Sequence, residues 1–534
     1  MTYAAHPLLV FDSYPRRAWA WALGLGLLSA SGFQPLGLWP LALVAAGIFV
    51  LLAFRAPDWK AALRLGWLFG WTHFTLANYW IATAFTYQAE MPAALGWAAV
   101  PLLAVYLAAY PALATLAAHL LAKQRSVWAF ALVFAGAFVV AEWLRGWVFT
   151  GYAWNPFSMV LIGPFSRPGL AAIAPVMGTY AASGIALLIG AGLAILVAEQ
   201  RYRVSLLVAA LVLAGMYWPA AAPREGTLAV TLVQPDIFQE TLNDPRSFES
   251  NYQKLARLTP RVPANGDGPR LVLWPESGMT DYLREGYPQR YYDRTTALGS
   301  PLFARRRLGE AIGEDSVLLT GAVDLEIGPD EFGYERALGA RNAVTALSSD
   351  GQILGSYFKA ELVPYGEYLP LRGLLEPLGL SRLVAGAIDF LPGPGPQTLD
   401  LGPQGRASVQ VCYEIIFAGQ VTDRADRPDY IFNPSNEDWF DASAKPQFLA
   451  QSRMRAIEEG LPVLRSTTTG ISAVIDARGV VREHLGDHIP GRIDTRVPPA
   501  APPTLFARLG NTLSLIWAAL FIIAGIVAMR RRRR

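Results

Sequence analysis

Long apolar runs fill most of the first 220 residues and constrain the fold more than any other feature. From Ala18 to Tyr217 they recur with only short polar breaks, each run near the ~20 residues a helix needs to cross hydrocarbon. The pattern predicts about seven transmembrane helices, over Ala18 to Ser31, Leu41 to Phe54, Leu65 to Tyr79, Ala93 to Leu121, Val127 to Trp143, Tyr180 to Val197 and Val204 to Trp218. A chain of 534 residues that is 53% hydrophobic and 16% charged, with a mean hydropathy of +0.29, is too apolar for a soluble protein of this length. The first run follows Arg16 and Arg17 but has no small-residue cleavage pattern, which predicts a retained helix rather than a removed leader.

Basic residues mark alternate loops. Arg16 and Arg17 precede the first span, Arg55, Lys60 and Arg64 follow the second, Lys123 and Arg125 the fourth, and Arg201 and Arg203 the sixth. These loops are expected on the cytoplasmic side. An odd number of spans then delivers the chain to the far side after Trp218. A last apolar run, Leu513 to Met529, ends in Arg530 to Arg534, which would return the carboxyl end to the cytoplasm. Trp71, Trp80, Trp143 and Trp147 near span ends read as interfacial anchors. Glu142 and Arg145, three apart on one helical face, allow either a structural ion pair or a headgroup contact. His73 within the third span reads as packing. The net charge of +3 gives no sign of nucleic-acid binding.

Residues 221–502 have the composition of a globular domain, between a membrane domain over 1–220 and a carboxy-terminal span with its basic tail over 503–534. Strands are predicted at Leu228 to Val233, Arg270 to Trp274, Val317 to Val323, Ser408 to Cys412 and Tyr430 to Asn433. Amphipathic helices are predicted at Ser247 to Leu258 and Lys445 to Glu459, and hairpin turns at Ser349-Asp350-Gly351 and Asp476-Ala477-Arg478-Gly479. Buried strands with interposed helices predict a layered α/β sandwich.

Three strand-like runs each end in a side chain able to do chemistry: Leu271-Val272-Leu273-Trp274-Pro275-Glu276, Tyr357-Phe358-Lys359 and Val409-Gln410-Val411-Cys412. Strand ends are where α/β sheets place their sites. Cys412 is the sole cysteine, so it forms no intramolecular disulfide; it is either a small buried hydrophobe or a nucleophile. As a nucleophile it needs a base, for which Glu276 is suited, and a cation for the oxyanion, for which Lys359 is suited. A structural ion pair between the two charges is the plainer alternative. None of the five histidines lies in an HExxH pattern, and His484 and His488, four apart, are interrupted by Gly486, so neither metal nor cofactor is expected. A GxSxG elbow, a Walker A loop and a strand-linked GxGxxG are absent.

The segments around Glu276, Lys359 and Cys412 resemble the Glu-Lys-Cys motifs of the nitrilase superfamily, in that order. With the flanking spans, the chain resembles the apolipoprotein N-acyltransferases. The resemblance extends through Gly32-Phe33-Gln34-Pro35, Glu142-Trp143-Leu144-Arg145-Gly146, Gly151-Tyr152-Ala153-Trp154 and Lys359 to Glu367. It continues through Cys412-Tyr413-Glu414, Asn433-Pro434-Ser435-Asn436 with Trp439-Phe440, Arg453-Met454-Arg455-Ala456 and Arg465-Ser466-Thr467.

The resemblance implies a polytopic inner-membrane protein of about eight transmembrane helices, with a periplasmic nitrilase-like αββα sandwich and both termini cytoplasmic. It implies a monomer that moves an acyl chain from sn-1 of a phospholipid, typically phosphatidylethanolamine, through a thioester on Cys412. The acceptor is the α-amino group of the diacylglyceryl-cysteine that begins an apolipoprotein. Glu276 would be general base and acid, Lys359 the oxyanion stabiliser, Glu367 a carboxylate orienting the three, and Tyr413, Glu414 and Trp439 neighbours of the thioester and lipid. In one departure, Asn243 stands where the family often has a tryptophan after Gln234. A membrane-tethered amidase sending water to the same thioester, and a transporter or scaffold, are the competing readings; the spans hold few of the ionisable groups a transport path uses.

Overall fold

The computed structural model describes residues 16–87, 94–122, 126–242, 244–261, 268–371, 373, 377 and 390–531; His6, Lys123, Arg125, Asn243 and Arg532 to Arg534 lie outside them. The chain forms two compact units, one of residues 1–220, 446–459 and 503–534, the other of residues 221–445 and 460–502.

In the first unit, helices cover Ala18–Ala30, Trp39–Phe54, Trp59–Ala77, Ala94–Leu107, Ala109–Ala122, Val127–Arg145, Ala174–Ala198, Tyr202–Met216 and Asn511–Arg531. Among the described residues, four stretches are long and apolar enough to cross a membrane: Ala94–Ala122, Val127–Arg145, Leu170–Ala198 and Asn511–Met529. Ala18–Ala30, Trp39–Phe54 and Tyr202–Met216 are apolar but shorter. The single run expected from Ala93 to Leu121 forms the continuous stretch Ala94–Ala122, with one turn residue at Ala108, where Pro111 has no N–H to give the Leu107 carbonyl.

Lipid tails offer no hydrophobic drive for helices to associate, so close backbone approach must hold them together. Gly47 and Gly190 supply it: a Cβ on Gly47 would strike the Gly190 carbonyl, and one on Gly190 the Leu43 carbonyl. A Cβ on Gly136 would lie 2.6 Å from the Ala518 carbonyl oxygen, which seats the carboxy-terminal helix against Val127–Arg145.

Glu142 and Arg145 are both buried, 4.0 Å apart. Arg145 Nη1 donates to the Tyr152 and Trp154 carbonyls at 2.9 and 2.8 Å, and Glu142 Oε1 accepts from Phe157 N at 2.7 Å. The pair thus folds back the irregular segment after its own helix, a structural task. His73 Nδ1 lies 2.7 Å from Ser29 Oγ among Phe33, Phe69 and Phe74. Trp80 is buried against Trp154, ring centroids 4.7 Å apart, rather than spread at an interface.

From Pro446 on, the helix Ala444–Glu459 belongs to this unit, with Ala450, Met454 and Ile457 in its core. Arg453 donates to the Gly163, Pro164 and Arg167 carbonyls, and Trp154 Nε1 and Asn155 Nδ2 both donate to Gln447 Oε1. Boundaries drawn from composition do not separate this segment, because its buried charges make it read as part of a globular domain.

The second unit contains two six-stranded sheets. Its strands are β1 Ala229–Gln234, β2 Arg270–Leu273, β3 Ser316–Pro329, β4 Glu335–Ser348, β5 Ile353–Phe358, β6 Thr398–Asp400, β7 Arg406–Val409, β8 Tyr430–Ser435, β9 Val463–Thr467, β10 Ala473–Ile475, β11 Val481–His484 and β12 Gly491–Arg496. The orders are β12-β1-β2-β3-β4-β5 and β11-β10-β9-β8-β7-β6. β1, β2 and β3 are parallel, as are β7, β8 and β9; such strands are buried on both faces, which explains their unbroken apolar runs. The helices Phe248–Leu258 and Pro301–Ile312 place Leu255, Ala304, Leu308 and Ile312 in one core with Val233, Val272, Trp274 and Leu318. The sheets meet where Ser466 Oγ donates to the Val233 carbonyl at 2.8 Å and Thr467 Oγ1 to Gln234 Oε1 at 3.1 Å. Turns at Ser349-Asp350-Gly351 and Asp476 to Gly479 join β4 to β5 and β10 to β11.

Candidate active site

Parallel strands bring their carboxyl ends to one rim, and the chain leaves β2, β5 and β7 there toward Glu276, Lys359 and Cys412. Each exit is pinned by backbone. Trp274 N donates to the Leu319 carbonyl at 3.0 Å. A Cβ on Gly321 would lie 2.8 Å from Glu276 Cα, so only glycine lets Glu276 sit so close to β3. Lys359 N donates to the Asn342 carbonyl at 2.9 Å, and its own carbonyl accepts from Gly393 N at 2.8 Å. Cys412 has φ of +50°, a left-handed conformation that a residue with a Cβ rarely adopts. Glu414 holds that turn: its Oε2 accepts from Val411 N at 2.7 Å, while its Oε1 accepts from Tyr357 Oη, Ala360 N and Glu361 N at 2.7, 2.7 and 3.1 Å. One carboxylate therefore joins the turn of Cys412 to the chain that follows Lys359.

Glu276, Lys359, Glu367 and Cys412 are all buried. Lys359 Nζ lies 3.0 Å from Glu367 and 3.7 Å from Glu276 Oε1. Asn342 Nδ2 donates to both carboxylates, at 2.7 Å to Glu276 and 3.0 Å to Glu367. Glu276 Oε2 also accepts from Asn436 N at 2.9 Å, and Glu367 Oε2 from Val363 N at 2.8 Å. Ser435 Oγ donates to Cys412 Sγ at 3.4 Å. Tyr413 is buried edge-on against Phe417, with centroids 5.1 Å apart, and Trp439 lies half-buried in the turn after β8.

Burial works against the charge on Lys359, but Glu367, Glu276 and Cys412 together outweigh it and hold the ammonium above the ordinary lysine range. Burial pushes the Cys412 thiol up to about 12, with the Glu276 charge adding to the shift and Lys359 and Ser435 opposing it. The sequence suggests a thiolate favoured by its cation; in the structure desolvation dominates, so the resting sulfur keeps its proton. Burial also raises Glu414, to about 7, against its hydrogen-bond donors and Lys359.

Behind the turn, Asn433 Nδ2 donates to the Gln410 and Cys412 carbonyls at 2.6 and 3.4 Å. Its Oδ1 accepts from Arg465, which also pairs with Glu437; neither charge is exposed. A Cβ on Gly470 would strike the Glu437 carboxylate. Sequence reasoning assigned no role to Asn342, Ser435, Asn436 or Arg465. The last three lie in segments that carry the family resemblance, whereas Asn342 sits inside an ordinary strand with no pattern around it.

Two expectations follow. Asn342→Leu removes one donor shared by two carboxylates, a loss of about 1.5–3 kcal/mol for a charged hydrogen bond, so kcat should fall roughly 10–100-fold with little change in KM; unchanged kcat would remove Asn342 from the positioning of Glu276. Alkylation of Cys412 by iodoacetamide should keep rising up to pH about 12. Because the Glu276 carboxylate raises the thiol's pKa, Glu276→Gln should move this profile to lower pH, and Lys359→Met should move it higher. A plateau near neutral pH would contradict the protonated resting state.

A twin-sheet unit with a buried cysteine, lysine and glutamate at one rim defines the carbon-nitrogen hydrolase class, and residues 229–491 match that family. Residues 25–192 match the family described as the apolipoprotein N-acyltransferase N-terminal domain. The apolipoprotein N-acyltransferase of Rhodopseudomonas palustris is 32% identical over 546 residues, spanning 96% of this chain and 96% of its own. That of Caulobacter vibrioides is 32% identical over 555 residues, spanning 98% and 97%. A solved amidase from Nesterenkonia sp. is 18% identical, covers 52% of this chain and 93% of its own, and superposes with a TM-score of 0.34. The chain belongs to the apolipoprotein N-acyltransferase family.

Proposed function

We propose that this protein transfers an acyl chain from a membrane phospholipid to the α-amino group of an apolipoprotein's diacylglyceryl-cysteine, through a thioester on Cys412. The observation that carries this reading is the lone buried thiol, on a strained turn within the field of Glu276 and Lys359. In the first half-reaction Glu276 takes the thiol proton as the sulfur adds to the ester carbonyl. Lys359 Nζ stabilises the oxyanion, and its collapse breaks the C–O bond while Glu276 returns the proton to the departing lysophospholipid. In the second, the acceptor amine adds to the thioester, Glu276 takes its proton, and collapse breaks the C–S bond and restores the thiol.

Glu367 and Asn342 keep Glu276 and Lys359 in register, and Glu414 fixes the turn on which the sulfur rides. Tyr413 and Trp439 are proposed to border the acyl chain. The protein would lie in the inner membrane as a monomer with this unit in the periplasm and both termini cytoplasmic. The donor is proposed to be phosphatidylethanolamine, cleaved at sn-1. Incubation with phosphatidylethanolamine and a diacylglyceryl-cysteine peptide should yield N-acylated peptide and lysophospholipid in equal amounts. Free fatty acid without acylated peptide would overturn the reading in favour of a hydrolase.

A further inference from the structure

β3 and β4 continue well past the rim that carries the site. β2 ends at Leu273, level with Leu319 of β3, whereas the β3–β4 pairing runs on from Val323↔Asn342 to Pro329↔Glu335. Asn342, which binds Glu276, thus stands at the root of a ribbon that reaches about 20 Å beyond it at ~3.3 Å per residue. The ribbon is braced rather than loose. The Tyr287 hydroxyl accepts from Leu325 N at 3.0 Å and the Tyr291 hydroxyl from Ala337 N at 2.7 Å. These bonds occupy backbone donors through which another strand could be added.

The tip is built to hold two aromatic rings outward. Asp330 Oδ1 accepts from Phe332 N and Tyr334 N, both at 2.9 Å, Asp330 N donates to the Tyr334 carbonyl, and Gly333 turns the chain with φ of +82°. Phe332 is 76% and Tyr334 73% exposed, and Leu338, extruded by the bulge after Glu326↔Gly339, is 53% exposed. Arg290 and Arg336 lie beside them, also exposed. Two exposed aromatic rings on a fixed turn and an aliphatic side chain, with Arg290 and Arg336 interspersed among Asp330, Glu331 and Glu335, form an amphipathic tip of the kind that sits at a membrane interface.

We infer that the 330–334 tip inserts into the lipid headgroup layer and holds the rim bearing Cys412 at the bilayer surface. The inference rests on the proposed lipid substrates, since a rim that takes acyl chains from phospholipid must approach lipid, and the ribbon projects from that rim.

In a Cys412→Ser background the chain has no other thiol, so Phe332→Cys, Tyr334→Cys and, as a control at the opposite end of β4, Asp350→Cys can each carry one fluorescent probe. In phosphatidylethanolamine–phosphatidylglycerol nanodiscs, doxyl-labelled phospholipid should remove about half the emission at 332 and 334, with iodide having little effect. At 350 the reverse is expected. Iodide quenching at 332 and 334 would overturn the inference, and protection from both quenchers would overturn it in favour of a protein-covered tip. The readout needs no turnover, so it stands apart from acyl transfer by the unaltered protein. With Phe332→Ser/Tyr334→Ser, acylation of Cys412 should slow several-fold in nanodiscs but not with a detergent-dispersed short-chain phospholipid; equal slowing in both would also count against the anchor.

Discussion

Cys412→Ala should leave a folded protein that neither releases lysophospholipid nor acylates a lipopeptide. The sulfur is the only thiol in the chain, and loss of a covalent nucleophile in a site that acts as a unit costs roughly 10⁴–10⁶ in rate. Stability should change little, because the side chain makes a single weak hydrogen bond, from Ser435, and loses only one small buried atom. The check is a paired assay: acyl transfer by chromatography, and thermal unfolding of the same preparation. Transfer within tenfold of the unaltered protein would mean that the acyl group never rests on Cys412.

Lys359→Met should be damaging in two separable ways. The ammonium is the cation between Glu276 and Glu367, and the methionine keeps the volume but not the charge. Removing one oxyanion donor lowers kcat by about 10²–10³. Breaking a buried ion pair leaves uncompensated charge at a cost of about 3–5 kcal/mol, unless one carboxyl takes up a proton. Unfolding temperature should therefore drop at neutral pH and recover as the pH is lowered toward the carboxylate range. A second substitution, Glu367→Gln, should restore much of the stability but not the rate. Full activity in Lys359→Met would exclude the lysine from the chemistry.

Where side-chain period and composition dictate an element, the sequence discloses it. The apolar helices of the first unit, the buried strands β1, β2, β7 and β8, and the turns at Ser349 to Gly351 and Asp476 to Gly479 follow from runs of one kind or from turn residues. The strand-end positions of Glu276, Lys359 and Cys412 are legible for the same reason, since each closes an apolar run. What escapes is what depends on partners distant in sequence. β3 reads as ending at Val323 because Asp324 and Glu326 look like loop, yet Asp324 is buried in an ion pair with Arg284 and Glu326 lies on an open face of the ribbon. Asn342 carries no local signal; only pairing opposite Val323 and beside Lys359 brings its amide between two carboxylates. The membership of residues 446–459 in the helical unit rests on Arg453 and Gln447 meeting carbonyls and side chains nearly 300 positions away.

The most direct measurement is the intact mass of the protein after exposure to phosphatidylethanolamine without acceptor. The expected result is a mass increase of one fatty acyl group, removed by hydroxylamine, discharged by a diacylglyceryl-cysteine peptide, and missing in Cys412→Ser. An unmodified mass under conditions in which the peptide becomes acylated, or an adduct that survives in Cys412→Ser, would contradict a thioester on this sulfur.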